Sequence, residues 1–193
     1  MTGEWLRLFL ALPLGIFREE LHEILAVLKK EIHGVRWVPP EQIHLTIHFF
    51  GNVPRENVKG LCAIMNAVSA NTRPVVLNLK GIGVFPDMKR PGVLWAGIEN
   101  PSGNLEKFVR SVRSEVETLG YEIERRPFIP HATLGRVKSL PPEVPFDKTL
   151  SELHLPLPSI IRTIDRFVLY RSEIHPAGAV HEKVSEFPFR QTV

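Results

Sequence analysis

The sequence predicts an α+β fold built from a duplicated β-α-β-α-β unit. Two pseudo-symmetric lobes with mainly antiparallel sheets are expected to face a central groove. The string His-x-Thr occurs at His44 and again 87 residues later at His131. Sliding the chain by 87 residues overlays strand patterns on strand patterns and helix patterns on helix patterns. The repeated halves cover approximately residues 5–87 and 92–175 of a single bilobal domain spanning 1–193, and a last strand follows at 179–189.

Each half opens with a strand and a helix. Residues 6–12 overlay residues 93–99, and both are short apolar runs typical of strands. The helices that follow each carry one apolar stripe with i, i+3 and i+4 spacing. The stripes consist of Phe17, Leu21, Ile24, Leu25, Leu28 and Ile32, and of Leu105, Phe108, Val109, Val112, Val116 and Leu119. Gly34 and Gly120 stand just beyond the stripes, where glycine commonly ends a helix.

Three further elements complete each half. The His-x-Thr strands come next. A second helix is predicted over 54–69, with a weaker counterpart around 146–153. The third strands are predicted over 74–85 and 160–171. A duplication of this kind implies an approximate two-fold axis, which would bring the two His-x-Thr strands together at the groove.

The alternation of apolar and polar residues places the histidine and threonine of each His-x-Thr string on the same face of a strand. In a strand, residues i and i+2 share a face, so His44 lies beside Thr46 and His131 beside Thr133. Two imidazoles on opposite sides of a phosphorus atom can act as acid and base together. Threonine hydroxyls can donate hydrogen bonds to the phosphate oxygens. One His-x-Thr string is common by chance, but two at corresponding positions favour a catalytic site.

Composition restricts the class of protein. The 193 residues are 44% hydrophobic and 23% charged, which is ordinary for a soluble domain, and the net charge of +3 permits an anionic partner without demanding one. Cys62 is the single cysteine, so an intrachain disulfide and a cysteine zinc cluster are excluded. The apolar run near the start is too short to span a bilayer, and we expect a buried strand in a cytoplasmic protein.

Other kinds of site are less well supported by the sequence. His44, His48 and His131 could supply three nitrogens to zinc, but no carboxylate accompanies them and the threonines would be idle. No Gly-x-Ser-x-Gly string predicts a serine hydrolase, and no glycine-rich loop predicts nucleotide binding. We therefore predict no metal and no cofactor.

At nearly full length the chain resembles the two-histidine phosphoesterase superfamily. Within it, the chain is most similar to the bacterial and archaeal RNA 2′,3′-cyclic phosphodiesterases, also called 2′-5′ RNA ligases. The resembling strings are the opening strand "LRLFLALPL", the two signatures "VRWVPPEQIHLTIHFFGNV" and "RPFIPHATLGRV", the central hairpin "GIGVFPDMKRPGVLWAGI" and the C-terminal hairpin "FVLYRSEIHPAGAVHEKV". One departure is His181, which stands where the family commonly carries a tyrosine.

The resemblance implies a metal-independent enzyme that opens a terminal ribose 2′,3′-cyclic phosphate on RNA ends, tRNA fragments among them, to a 2′-phosphate. By position, His44 would be the proton donor and His131 the proton acceptor, while Thr46 and Thr133 would hold the phosphate. The family also joins RNA ends through a 2′-5′ linkage without ATP, which the same acid–base pair allows in the reverse sense. A monomer without membrane attachment is expected.

Two further residues are weaker candidates for substrate binding. His48 shares the strand parity of His44 and would line the groove, although a solvated histidine at the strand end is equally compatible with the pattern. Arg136 lies in the second signature and its planar guanidinium suits phosphate. Its parity is opposite to that of His131, so a bulge or the strand end must redirect it. Phe49, Phe85 or Phe128 can stack a base, although phenylalanine in strands is more often core.

Two alternative functions follow from the same residues. One alternative is an enzyme that acts on small cyclic nucleotides or 2′-5′ oligonucleotides. The loops of the groove determine which substrate fits, and the sequence does not reveal their shape. A non-catalytic RNA-binding module is the alternative from another class. The intact histidines and threonines in both copies argue against it, since binding alone does not need two proton-transfer groups.

Overall fold

The computed structural model describes residues 3–139, 146–155, 160–176 and 178–190. In the first half of the chain the regular elements follow the predicted order, with one strand added before the His-x-Thr strand. They are β1 (Trp5–Pro13), α1 (Arg18–Glu31), β2 (Val35–Trp37), β3 (His44–Pro54), α2 (Val58–Ala70) and β4 (Val75–Phe85).

The second half repeats this order with differences near its end. Its third strand is split in two at Asp165, and the last strand forms a hairpin with the strand before it. The elements are β5 (Val93–Glu99), α3 (Asn104–Thr118), β6 (His131–Val137), α4 (Phe146–Glu152), β7 (Arg162–Ile164), β8 (Arg166–His175) and β9 (Gly178–Pro188). The predicted weak helix is thus present as α4.

The strands form one curved sheet in the order β7-β4-β5-β6-β3-β1-β8-β9, with β2 attached to β6. All strand pairs in the described parts of the chain are antiparallel, which confirms the α+β prediction with antiparallel sheets. The order is symmetric about the β6–β3 junction. The two halves exchange their third strands, because β4 pairs with β5 and β8 pairs with β1. Each lobe therefore contains strands from both halves.

The helices bury their apolar stripes against one face of this sheet. Alternate residues of β1, such as Leu8 and Leu10, are fully buried and belong to the same core as the stripes of α1 and α3. Leu119 is the exception among the stripe residues: it lies just beyond α3 and is 38% exposed. Because strand side chains alternate, the face away from the helices is left for the groove.

Gly34 lies two residues beyond Ile32, whose extended backbone already ends α1, while Gly120 directly follows the C-cap of α3 and ends that helix as predicted. Their φ angles are 73° and 78°, in the left-handed region that glycine adopts without steric cost. At Gly34 the requirement is also spatial, since a Cβ there would lie 1.7 Å from the carbonyl oxygen of Ser139. This close approach lets β2, which the sequence did not predict, pair with β6 in the other half of the chain.

Within the described residues, no helix is both long enough and apolar enough to cross a membrane.

Candidate active site

The two His-x-Thr strings meet at the centre of the sheet. β3 and β6 are joined by the pair Leu45↔Ala132, and both of these side chains are fully buried on the core face. One residue further along the antiparallel register, His44 lies opposite Thr133 and Thr46 lies opposite His131. The four predicted side chains therefore share the face away from the helices. The approximate two-fold axis that relates the two halves of the chain lies between β3 and β6.

Both catalytic candidates are oriented by the same local hydrogen bond. His44 Nδ1 is 2.7 Å from the carbonyl oxygen of Gln42, and His131 Nδ1 is 2.7 Å from that of Ile129. A carbonyl oxygen only accepts, so each Nδ1 carries its proton and donates it. The Nε2 atom of each ring is consequently the nitrogen available for proton transfer.

His44 is packed among aromatic rings. Its centroid is 4.9 Å from Phe9, 5.3 Å from His181 and 6.2 Å from Tyr170. The pKa of His44 is lowered to about 4, mainly because the ring is buried. The hydrogen bond to Gln42 raises this pKa in part, and the nearby imidazoles of His181 and His131 lower it. The imidazole of His44 is thus held in its neutral form at neutral pH.

His131 occupies a related aromatic setting in the other lobe. Phe85 lies edge-on at 5.0 Å between ring centroids, and Trp95 lies at 6.1 Å. The indole of Trp95 lies over Gly83, where an added Cβ would be 2.2 Å from the ring. Trp95 is paired with Thr133 across β5 and β6, so Gly83 admits the large ring beside the second His-x-Thr string.

The expectation that His48 lines the groove is wrong. Leu10 pairs with His48 and Ala11 pairs with Thr46, so Ile47 is an extra residue in β3 and forms a β-bulge. The bulge reverses the alternation, and His48 points to the core face beside Leu10. It is 5% exposed, its ring is 4.7 Å from Phe50, and its Nε2 has no hydrogen-bond partner among the described residues. Burial, with a contribution from the charge of Arg113, lowers the pKa of His48 to about 4.

Arg136 is redirected by a matching bulge. Trp95 pairs with Thr133 and Leu94 pairs with Gly135, so Leu134 is the extra residue in β6. Arg136 then shares the face of His131, which the parity of the sequence alone did not allow. The bulges occupy corresponding places in the two strands, so Arg136 and Phe49 are equivalent positions on the two sides of the site.

An open cavity of about 640 Å³ extends from this edge of the site, and Arg7, Phe49, Tyr121 and Arg136 are among its lining residues. Phe49 is 53% exposed, and its ring centroid is 5.2 Å from Phe9, which in turn contacts His44. Arg7 was not predicted. Its signal in the sequence is that it is the single charged residue of β1, and it lies exposed between the buried residues Leu6 and Leu8.

Within the described parts of the chain, no group of three or more His, Cys, Asp or Glu side chains could hold a metal ion.

Comparison with known proteins shows the family of the chain. The sequence model of the family of LigT-like phosphoesterases matches this chain twice, over residues 15–95 and over residues 97–181. The chain belongs to this family. It is 29% identical over 185 residues to the RNA 2′,3′-cyclic phosphodiesterase of Thermotoga maritima, covering 95% of this chain and 96% of that one. Other bacterial and archaeal relatives have the same name.

Solved structures of similar proteins share the fold. A protein of Thermus thermophilus superposes with a TM-score of 0.80 at 29% identity, over 95% of this chain and 98% of that one. The LigT protein of E. coli, solved in complex with 3′-AMP, superposes with a TM-score of 0.76 at 24% identity, over 97% of this chain and 100% of that one. Both structures share the overall fold of this chain.

Proposed function

We propose that the protein hydrolyses the terminal ribose 2′,3′-cyclic phosphate of RNA to a 2′-phosphate, using His44 and His131 as an acid–base pair. The observation that carries the proposal is the matched orientation of the two imidazoles. Each Nδ1 is tied to the carbonyl two residues earlier in the chain, so both Nε2 atoms remain for chemistry on one face of the sheet. The names of the T. maritima enzyme and other relatives support the choice of substrate.

The reaction requires one bond to form at phosphorus and one to break. His131 Nε2 accepts a proton from water as the water oxygen bonds to phosphorus. The bond from phosphorus to the ribose 3′-oxygen breaks, and His44 Nε2 gives its proton to that oxygen. The products are a 2′-phosphate and a 3′-hydroxyl. With a ribose hydroxyl of a second RNA in place of water, the same groups give a 2′-5′ linkage without ATP.

The low pKa of His44 bears on its role as the donor, because a donor must start in the protonated form. A phosphodiester bound between His44 and His131 carries a negative charge. An opposite charge at contact distance favours the protonated imidazole and raises its pKa. We therefore infer that His44 gains its proton together with the substrate. Thr46 and Thr133, which flank the histidines, donate their hydroxyl hydrogen bonds to the phosphate oxygens.

The surroundings of the site favour an RNA end over a small cyclic nucleotide. The exposed ring of Phe49 contacts the ring of Phe9, which in turn contacts His44. Arg7 and Arg136 line the same cavity, as does Glu122. Neither guanidinium forms a salt bridge in the described parts of the chain. An aromatic face beside two free guanidinium groups suits a stacked base followed by backbone phosphates.

The proposed function is tested with an oligonucleotide that ends in a 2′,3′-cyclic phosphate, assayed in excess chelator. We expect multiple turnovers to a 2′-phosphate, with a rate unchanged by chelation because no step is assigned to a metal. A product with a 3′-phosphate, or activity that only added zinc or manganese restores, would contradict the proposal. Binding of the oligonucleotide without turnover would favour the RNA-binding alternative.

Phe49→Ala is expected to weaken the use of the oligonucleotide by raising KM. Base stacking on an aromatic side chain contributes about 1–3 kcal/mol, which corresponds to roughly 5- to 150-fold. Because Phe49 does not contact the reacting phosphate, kcat is expected to stay within a few-fold. The measurement is steady-state kinetics on the oligonucleotide beside a ribose cyclic phosphate that lacks a base.

The base-free compound is the internal control, since it has nothing to stack and its KM is expected to be the same for both proteins. Ile174→Ala, which changes a 72% exposed residue at the end of the β8–β9 hairpin, is the matched surface control. An equal rise in KM for both substrates in Phe49→Ala would mean that Phe49 only supports the fold of the site.

A further inference from the structure

His181 places a third imidazole beside the proposed acid. It lies in β9 opposite Ser172 of β8, on the groove face of the sheet. Its ring centroid is 5.3 Å from that of His44 at an interplanar angle of 86°, and 4.9 Å from that of Phe9 at 75°. The proposed function assigns no task to this ring.

The hydrogen bonding of His181 is incomplete. Its Nδ1 atom is buried and has no hydrogen-bond partner among the described residues. A buried polar atom without a partner costs free energy, and an apolar ring of similar size would avoid that cost. By contrast, Nδ1 of both His44 and His131 is hydrogen-bonded to a backbone carbonyl. The ring is therefore poorly explained as a packing residue.

Aromatic rings make up the nearest neighbours of His181. The titratable side chains on its face of the sheet are His44, Tyr170 and Lys183 of β9, with His131 beyond His44, and the ammonium group of Lys183 is paired with Glu186. Glu182, its neighbour in β9, is oriented toward Arg171 at 3.9 Å. Burial lowers the pKa of His181, and the interaction with His181 lowers the pKa of His44. Two neighbouring imidazoles therefore oppose each other's protonation.

We propose that His181 is a positioning residue that makes the protonation of His44 depend on a bound phosphate anion. Without an anion, a proton on either imidazole repels a proton on the other, and this repulsion adds to the burial that keeps His44 neutral. A bound phosphodiester offsets that repulsion and allows His44 to be protonated when substrate is present. This inference rests on the proposed function only in giving His44 the role of acid.

The test is an NMR titration of the labelled His44 imidazole in the full-length protein, with and without inorganic phosphate. In His181→Gln, we expect the midpoint of His44 without phosphate to rise by on the order of one pH unit. We also expect the rise that phosphate induces to become smaller than in the parent protein. His181→Tyr keeps a ring that is neutral in this pH range, and it provides the same comparison if the glutamine variant does not fold.

His175→Gln is the matched control, because His175 is an exposed histidine in the same hairpin, 3.5 Å from Glu173. It is expected to leave both His44 midpoints unchanged. Unchanged His44 midpoints in a folded His181 variant would overturn the proposal, even if the parent protein turns over cyclic phosphate. If the parent protein shows no such turnover, the proposed function fails, while the titration still decides the coupling.

Discussion

The His131→Ala variant is expected to lose roughly 10²- to 10⁴-fold in turnover of an RNA 2′,3′-cyclic phosphate, and His44→Ala a similar factor. Each substitution removes one proton-transfer group while leaving the other in place. Since both rings lie on the groove face, neither change creates a cavity in the core between the helices and the sheet. Single-turnover kinetics on a cyclic-phosphate-ended oligonucleotide measures the chemical step directly.

Three other variants show whether the loss is specific to proton transfer. Thr46→Ala and Thr133→Ala each remove one neutral hydrogen bond to the phosphate, so we expect a smaller loss, although a donor that acts in the transition state can be costly. His48→Phe is the matched histidine control on the same strand, because His48 points to the core. We expect its turnover to stay within a few-fold. Turnover within tenfold of the parent in a folded His131→Ala variant would contradict general-base catalysis.

Much of the fold can be predicted from the sequence, because each helix is marked by residues within its own segment. The apolar stripes of α1 and α3 are regular, and a glycine with a positive φ angle follows each helix. The pairing of strands is harder to predict from the sequence. The duplicated order suggests that each half forms its own sheet, but β4 and β5 are consecutive strands and form the hairpin that the family resemblance implied. That local connection produces the exchange of third strands.

The candidate site was predicted where strand alternation is regular. His44 and Thr46 precede the bulge at Ile47, and His131 and Thr133 precede the bulge at Leu134, so two-residue parity holds for all four. Beyond the bulges it fails, which explains the error at His48. A bulge is set by pairing with the neighbouring strand, and nothing in the residues at Ile47 marks it.

Residues brought in from other strands were harder to predict. Phe9, Tyr170 and His181 reach His44 only through the order β3-β1-β8-β9, in which the last two strands come from the end of the chain. His181 was noted as a departure from the family pattern, but its contact with His44 depends on the register of the β8–β9 hairpin. The division into repeats at 5–87 and 92–175, the monomeric state and the cytoplasmic location stay predictions.

Replacing the 3′-oxygen of the cyclic phosphate by sulfur is expected to restore most of the turnover that His44→Ala loses. A thiol has a pKa near 8.5, far below that of an alcohol, so the sulfur leaves as a thiolate without a proton. The need for a general acid then disappears, and His44→Ala should come within roughly tenfold of the parent protein on the same compound. The measurement is the ratio of single-turnover rates for the oxygen and sulfur substrates in each variant.

The same substrate tests the role of His131 in the opposite direction. The incoming water must still lose a proton when sulfur is the leaving atom, so His131→Ala is expected to keep its full loss of roughly 10²- to 10⁴-fold. Rescue of His131→Ala in place of His44→Ala would mean that the two roles are reversed. Such a reversal would make the neutral His44, whose pKa burial lowers to about 4, the base that accepts the proton of water. If neither variant is rescued, His44 acts mainly by stabilising the charge on phosphate, because a group that only transferred a proton to the leaving atom would no longer be needed.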